Sequence, residues 1–127
     1  MPEVREIYKC QVCDNVVEVL RGGAPALVCC GEDMVKLEPK TEDSGLEKHV
    51  PVVEGTDNGV LVKVGDVEHP MEEQHYIKVI EVLTDDKVLR AELNPGEKPQ
   101  AEFNVDKNEI NEVREFCTVH DLWKNEL

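Results

Sequence analysis

Four cysteines near the start of the chain place the strongest constraint on how it can fold. They form two pairs, Cys10-x-x-Cys13 and Cys29-Cys30. A Cys-x-x-Cys turn directs two sulfurs toward one point, and a second pair after a hairpin completes a four-sulfur metal site. Residues 1–37 are too short to bury a self-sufficient core. We therefore expect a bound metal to supply much of their stability.

The four cysteines alone do not determine which metal ion binds. Zinc is the usual ion in a generic four-cysteine site. Cys29 and Cys30 are adjacent, which predicts a distorted site, and a strained disulfide between them is a further alternative. A fifth cysteine, Cys117, makes the number odd. Together with the lack of a secretion signal at the N-terminus, this disfavours a disulfide framework.

Charge and hydropathy narrow the classes of function. The net charge is −14, which argues against nucleic-acid binding, because phosphate neutralisation needs clustered Lys and Arg. Apolar runs are short and the N-terminus has no signal-peptide pattern, so the sequence predicts a cytoplasmic protein with no membrane span. An anionic substrate would need a local positive group to reach its site against this field.

The remainder of the chain has the rhythm of an all-β domain. A polar segment, residues 38–47, follows the cysteine-rich part, so we predict domains at 1–37 and 38–127. Short β-branched runs separated by turn residues then predict about seven strands in an immunoglobulin-like β-sandwich. The predicted strands are 50–53, 60–64, 67–69, 75–83, 87–93, 101–105 and 113–117.

Three details of these strands are further predictions. In residues 75–83 the alternation predicts Ile77, Val79 and Leu83 on one face. Residues 109–116 fit both a helical and a strand period, and the surrounding β pattern favours a strand. The predicted turn between the first two strands of this domain is residues 55–59.

All four histidines of the chain lie at predicted strand ends or in loops. They are His49, His69, His75 and His120. Cys117-Thr118-Val119-His120 spaces a thiol and an imidazole so that both can face one ion, and His69 and His75 bracket a loop whose ends can meet. Any single histidine is more often a surface or core residue than a ligand. From the residues alone, a His/Cys metal site and scattered histidines both stay open.

These motifs together resemble a known family. Tyr8-Lys9-Cys10-x-x-Cys13 with the vicinal pair Cys29-Cys30 is similar to desulforedoxin, which holds one ferric ion with four thiolates. Three further motifs resemble the superoxide reductases, and with the cysteine-rich part the whole chain resembles the desulfoferrodoxins. The three are Glu47-Lys48-His49-Val50-Pro51, His69-Pro70-Met71-Glu72-Glu73-x-His75-Tyr76-Ile77 and Cys117-x-x-His120-x-x-Trp123.

The resemblance implies two iron ions per chain and a desulforedoxin-like domain before the β-sandwich. One iron would be held by Cys10, Cys13, Cys29 and Cys30. The other would be a ferrous ion with His49, His69, His75 and His120 in a plane, the Cys117 sulfur on the axis, and an open sixth position.

The implied activity is that of a superoxide reductase, an enzyme of superoxide detoxification that gives hydrogen peroxide without releasing oxygen. Lys48 would attract the anion and organise a proton-donating water, and Glu47 would occupy the sixth position of the ferric state. A rubredoxin-like electron donor and a homodimer are the implied partners.

Departures from the family and two competing functions accompany this expectation. Asp14 stands where the family usually has Gly, and Thr118 and Asp121 stand where it commonly has Asn and Gly. A one-electron carrier would contain both metals but bind no substrate. A binding module would be a zinc-stabilised, colourless β-sandwich.

Overall fold

The structure is a computed structural model, and it describes residues 1–42, 48–65 and 69–127. The chain forms two compact units, Met1–Glu38 and Pro39–Leu127. Both are built from β-strands. In the described ranges the only helical segment is one 3₁₀ turn, Lys107–Glu109, so the predicted all-β class is confirmed. No helix in those ranges has the length and apolarity needed to cross a bilayer.

Within the described residues, twelve strands follow one another in chain order. They are β1 Ile7–Lys9, β2 Val16–Glu18, β3 Val28–Cys29, β4 Glu32–Asp33, β5 Val35–Lys36, β6 Pro51–Thr56, β7 Gly59–Val64, β8 Ile77–Thr84, β9 Val88–Glu92, β10 Gln100–Phe103, β11 Ile110–Cys117 and β12 Asp121–Glu126.

The first unit has little apolar interior. Strand β1 lies between β2 and β5. Strands β3 and β4, each two residues long, form a separate hairpin. Ile7, Cys10 and Val19 are buried. In contrast, Leu20 is 83% exposed and Val28 62% exposed. Burying a Val or Ile side chain contributes about 1.5–3 kcal/mol, so these few residues give the unit only a small hydrophobic stabilisation.

A polar cluster joins β1 to β5 in this unit. The Lys36 ammonium lies 2.8 Å from a Glu6 carboxylate oxygen. The Glu3 backbone N–H donates to Glu6 at 2.8 Å, and the Tyr8 hydroxyl donates to it at 2.9 Å. The bond from Lys36, followed by that from Glu3, lowers the pKa of Glu6 from 4.5 to about 2.

We expect Lys36→Met to raise the pKa of Glu6 toward its usual value. The folded-state pKa lies below the unfolded one, so the ion pair contributes fully above the unfolded value of 4.5. That contribution is lost as the pH falls toward about 2. The pH dependence of stability in this window should therefore weaken in the variant. NMR titration of the Glu6 carboxyl in zinc-loaded protein measures the pKa.

A matched control is Glu38→Gln. Glu38 is the second carboxylate on Lys36, at 3.1 Å, and its removal leaves the Glu6 pair in place. The Glu6 pKa should stay low in this variant. A Glu6 that still titrates near pH 2 after Lys36→Met would contradict the assigned cause.

The second unit is a two-layer β-sandwich. One sheet has the order β10-β7-β6 and the other the order β12-β11-β8-β9, with every neighbouring pair antiparallel. The core cluster takes side chains from both sheets, among them Val60, Val62 and Val64 of β7 and Ile80 and Val113 of the second sheet. The predicted sandwich is therefore confirmed, and residues 110–117 form a strand as favoured.

The first hairpin of the sandwich is tighter than the turn residues suggested. Strands β6 and β7 remain paired up to Thr56 and Gly59, so that only Asp57 and Asn58 form the turn. The predicted turn at 55–59 was thus too long. Two-residue turns of Asn and Asp suit the twist of antiparallel strands.

Strand β8 corrects the prediction about its inward face. Ile77, Ile80 and Val82 are the β8 residues in the core, not Val79 and Leu83. Cys117 pairs with Ile77 whereas Phe116 pairs with Val79, which leaves Lys78 as an extra residue in a β-bulge. One inserted residue reverses the alternation of faces beyond it.

The reversed alternation also directs Glu81 to the opposite face of this sheet. Glu81 is 1% exposed. Its carboxylate accepts from Arg114 at 2.6 Å and from Arg90 at 2.7 Å. A buried carboxylate is tolerated only with such partners, so the three-strand ladder of charges fixes the register of β9, β8 and β11.

The last strand and the predicted linker also differ from the predictions. The terminal strand β12 was not predicted, although it pairs with β11 over its whole length. Lys40, assigned to the linker, instead forms a parallel β-bridge with Trp123 of that strand. Residues 43–47 of the predicted linker and residues 67–68 of the predicted strand 67–69 lie outside the described residues. His69 itself is not in a strand.

Candidate metal centres

The four cysteines of the first unit meet at one point. One sulfur from each of Cys10, Cys13, Cys29 and Cys30 lies within 4.8 Å of the others. The sulfurs of Cys13 and Cys29 are 3.6 Å apart, and those of Cys29 and Cys30 are 3.9 Å apart. All four are free thiols. A disulfide bond is about 2.05 Å long, so the vicinal disulfide is not formed.

The electrostatics of this cluster fit a bound cation. The backbone N–H groups of Cys13 and Val12 lower the pKa of Cys10 to about 7. Crowding by the other sulfurs, Cys13 first, raises the pKa of Cys30 to about 12. Four thiols this close cannot all ionise unless a positive ion lies between them. The donor set therefore suits zinc or iron.

Left-handed backbone makes the two cysteine turns possible. Asp14 has φ 65° and Cys30 has φ 53°, followed by Gly31 at 76°. Asp14 also donates its N–H to the Cys10 carbonyl at 3.0 Å, which closes the Cys-x-x-Cys turn. Asp is among the few non-glycine residues that visit this conformation. Asp14 therefore adopts the left-handed backbone of this turn although it is not a glycine.

The second cluster lies at one end of the β-sandwich. His49 lies two residues before β6, and His69 follows β7, whose end pairs with the start of β6. Cys117 ends β11 beside the start of β8, and His120 lies in the turn to β12. Antiparallel pairing brings the start of one strand to the end of its neighbour. Residues distant in sequence therefore converge there.

All five side chains predicted for this cluster are brought together. One donor atom from each of His49, His69, His75, His120 and Cys117 lies within 4.8 Å of the others. Nε2 of His69 is 3.0 Å from Nε2 of His49 and 3.5 Å from the Cys117 sulfur. His69 and His75 have ring centroids 5.0 Å apart, so the ends of the loop do meet.

Hydrogen bonding around His69 directs a lone pair at the centre of the cluster. Its Nδ1 is 2.7 Å from the Pro70 carbonyl oxygen, which can only accept. Nδ1 therefore carries the proton, and Nε2, which faces His49 and Cys117, is the ring nitrogen that could bind a metal. Together with the Cys117 sulfur, which is fully buried, this donor set suits ferrous iron.

Trp123 on β12 contacts two of the histidines. Its ring stacks on His49 with centroids 4.5 Å apart and planes 10° from parallel. Its Nε1 donates to the His120 carbonyl oxygen at 3.0 Å. The Asn125 side chain, two residues along the same strand, donates to the Pro51 carbonyl at 3.0 Å. Strand β12 therefore orients both His49 and His120.

Thr118 connects the Cys117–His120 turn to the loop that carries His75. Its hydroxyl accepts from the Tyr76 N–H at 3.1 Å and donates to the Gln74 carbonyl at 3.5 Å. Its own N–H donates to the Tyr76 carbonyl at 3.0 Å. A hydroxyl supplies both a donor and an acceptor. Thr118 thus holds the backbone on both sides of His75.

Asp121 makes the sharp turn that follows His120. It has φ 67° and pairs with Cys117 across the β11–β12 hairpin. The left-handed conformation explains why the family commonly has Gly at this position. Asp can adopt it at a modest cost, so the hairpin register is retained.

Of the two charged residues before His49, only Lys48 is described by the structure. Glu47 lies outside the described residues. Lys48 is half-buried next to the buried His49, and its backbone passes close to Gly65. A Cβ added at Gly65 would be 2.8 Å from the Lys48 Cβ and 2.9 Å from its carbonyl carbon. Only glycine leaves room for this approach.

Both parts of the chain match models of one protein family. The family model described as "Desulfoferrodoxin" matches residues 41–126, and the model "Desulfoferrodoxin, N-terminal domain" matches residues 2–37. The chain belongs to the desulfoferrodoxin family. The desulfoferrodoxin homolog of Archaeoglobus fulgidus is 53% identical over 98% of this chain and 99% of its own. The family resemblance predicted from the motifs is thereby confirmed.

Two further proteins match the units and the fold. The desulforedoxin of Megalodesulfovibrio gigas is 61% identical over 31 residues, which cover 24% of this chain and 84% of its own. The crystal structure of the superoxide reductase from Treponema pallidum is 29% identical with a TM-score of 0.77, and the match covers 95% of this chain and 97% of that one.

This desulfoferrodoxin has the two iron sites expected for its family. The four-cysteine site and the site of four histidines and one cysteine are both assembled from its own residues. The features that could not be predicted from the sequence are those that support the second site. They are the roles of Lys40 and Gly65 and the contacts of Trp123. Each acts through a long-range contact, for which a single sequence carries no local signal.

Proposed function

We propose that this protein is a superoxide reductase whose reaction takes place at the cluster of four histidines and one cysteine. The convergence of these five donor atoms at one end of the sandwich carries the proposal. Membership of the desulfoferrodoxin family and the likeness to the superoxide reductase of Treponema pallidum support it. Superoxide takes up one electron and two protons and leaves as hydrogen peroxide.

His49, His69, His75, His120 and Cys117 are the proposed ligands of an iron ion. Such an ion would supply the electron for the reaction, and an external donor of rubredoxin type would return it. The His69–Pro70 hydrogen bond keeps one imidazole lone pair available. The Cys117 thiolate, buried at 0% exposure, gives the site a negative charge that favours binding of a cation.

Lys48 is the proposed positive group at the mouth of this site. The net charge of −14 repels an anion from most of the surface. The ammonium of the half-buried Lys48, the residue before His49, would attract superoxide and hold a water that delivers a proton to the departing product. Glu47, known only from its place in the sequence, is proposed as an additional carboxylate ligand that would hold the ion in its ferric form.

Rapid mixing of the reduced, iron-loaded protein with superoxide tests the function. We expect oxidation at a rate approaching the diffusional range of about 10⁸–10⁹ M⁻¹s⁻¹, with one peroxide formed for each iron oxidised. Reduced protein that superoxide does not oxidise, and whose histidine-bound iron takes up no small anion, would identify an electron carrier instead. A colourless protein that holds zinc would identify a binding module.

Lys48→Ile is expected to slow the reaction with superoxide about tenfold, because electrostatic steering contributes factors of this order or more. The dependence of the rate on ionic strength should weaken as well, since the attraction it screens has been removed. Rapid mixing over a series of salt concentrations measures both effects.

The matched control for this variant is Lys107→Ile. Lys107 carries the same charge but precedes Ile110, at the opposite end of β11 from Cys117. The Lys107→Ile substitution should leave the rate of reaction with superoxide nearly unchanged. Equal effects of the two substitutions would mean that only net charge matters and would remove Lys48 from the site.

The proposed domains are residues 1–37 and a catalytic domain of residues 38–127. The first of them is the proposed dimer contact. Val4, Val12, Leu20 and Val28 are each more than half exposed, and a groove of about 690 Å³ lies beside Leu20 and Val28. Apolar surface of this kind marks an interaction site. A second copy of the chain would cover it, and sedimentation equilibrium would then give twice the chain mass of 14.3 kDa.

A further inference from the structure

Strand β12 is joined on its free side by Lys40, which lies outside the sequence motifs that resemble the family. The Lys40 N–H donates to the Leu122 carbonyl at 2.9 Å, and the Lys124 N–H donates to the Lys40 carbonyl at 2.9 Å. These two bonds form the parallel bridge to Trp123. They fix the backbone of Lys40 directly beside the residue that stacks on His49.

The side chain of Lys40 reaches over the same residue to a metal-site turn. Its ammonium donates to the His120 carbonyl oxygen at 3.1 Å and lies 4.9 Å from the centre of the Trp123 ring. The indole Nε1 donates to that same carbonyl at 3.0 Å. The His120 carbonyl thus receives two donors, one of them charged, and charged donors make the stronger hydrogen bonds.

We propose that Lys40 is a positioning residue for the histidine–cysteine centre, holding the His120 carbonyl and the Trp123 ring in place. Lys40 acts on His120 through its carbonyl, and on His49 through Trp123, whose ring lies 4.5 Å away in a parallel stack. His49 and His120 are themselves in contact, with ring centroids 4.8 Å apart. One cation therefore restrains two donors at once.

The charge of Lys40 has a second consequence. A ferric ion carries one more positive charge than a ferrous ion, so a neighbouring ammonium raises the energy of the ferric state more. Removal of this charge should lower the reduction potential of the centre. This consequence rests on the proposed iron-dependent function, whereas the positioning contacts can be measured without redox chemistry.

The test compares Lys40→Met with Lys40→Arg in the zinc-loaded full chain. Trp123 is the only tryptophan of the chain, so its indole N–H gives a single NMR signal. In Lys40→Met we expect this proton to exchange with solvent about tenfold faster, since a charged hydrogen bond and a cation–π contact are lost. Arginine can replace both contacts, so Lys40→Arg should exchange at nearly the original rate.

The same variants are then loaded with iron. The reduction potential should fall in Lys40→Met, stay close to the original in Lys40→Arg, and stay close to it in the charge control Lys107→Met. Unchanged indole exchange in Lys40→Met, or equal potential shifts in Lys40→Met and Lys107→Met, would overturn the proposal. If the indole and potential change as expected while superoxide fails to oxidise the reduced protein, the proposed function fails and the positioning role stands.

Discussion

Cys117→Ser is expected to abolish the thiolate-to-iron absorption band of the histidine-bound iron together with the reaction with superoxide. Cys117 is fully buried, and its sulfur lies 3.5 Å from His69 Nε2 and 3.9 Å from His120 Nδ1. A serine hydroxyl is a harder and far less acidic donor than a thiol. Changes to partners outside the ligand set already cost about 10–100-fold in affinity or activity, and removal of a donor should exceed that.

The first unit supplies an internal control for this experiment. Its four-cysteine centre contains no residue of the second cluster, so its own absorption should be unaltered in Cys117→Ser. The reciprocal variant, Cys13→Ser, should remove that absorption and leave the histidine–cysteine band. Retention of the band and of activity in Cys117→Ser would exclude this sulfur from the site.

Gly65→Ala is expected to lower the free energy of unfolding by about 1–3 kcal/mol, the usual cost of overpacking, and to reduce the iron content of the histidine–cysteine site. The added Cβ would lie 2.8 Å from the Cβ and 2.9 Å from the carbonyl carbon and oxygen of Lys48. These are backbone or backbone-adjacent atoms that cannot swing away. The segment must therefore move, and it carries both Lys48 and His49.

Gly55→Ala is the matched control for Gly65→Ala. Gly55 lies in β6, and nothing is within 4 Å of the position its Cβ would take. Denaturant unfolding followed by the visible spectrum and an iron assay would compare the two variants. We expect Gly55→Ala to retain full iron content and the original rate with superoxide. Equal behaviour of the two alanine variants would show that the close approach at Gly65 has no role in forming the site.

The ligand candidates could be predicted from the sequence because their signals are short and chemical. Cys10-x-x-Cys13 is closed by a local turn whose hydrogen bond spans four residues. The Cys117–His120 pair lies in one hairpin turn. Cysteine and histidine are also the ligands that iron and zinc select. Spacing and residue type therefore indicated the four-cysteine cluster before any strand was paired, whereas the histidine–cysteine cluster was indicated by the resemblance to a known family.

The strand pattern was predicted less well where tertiary pairing overrides local period. The bulge at Lys78 depends on how β8 meets β11, and alternation within residues 75–83 contains no sign of it. Likewise β12 has a mixed sequence, Asp121–Glu126, whose strand conformation comes from its pairing with β11. Residue patterns report what a segment prefers, whereas register depends on the partner strand.

The sequence determined the all-β class and the four-cysteine metal site, and through its resemblance to the desulfoferrodoxin family it also indicated a second site of four histidines and a cysteine. The tertiary structure decided how the second set converges and what holds it there. Four separate segments bring their donors within 4.8 Å of one another, supported by Trp123 and Lys40 and by the space at Gly65. Ligand type is a property of each residue, but position at a shared centre depends on strand pairing and packing between residues far apart in the chain.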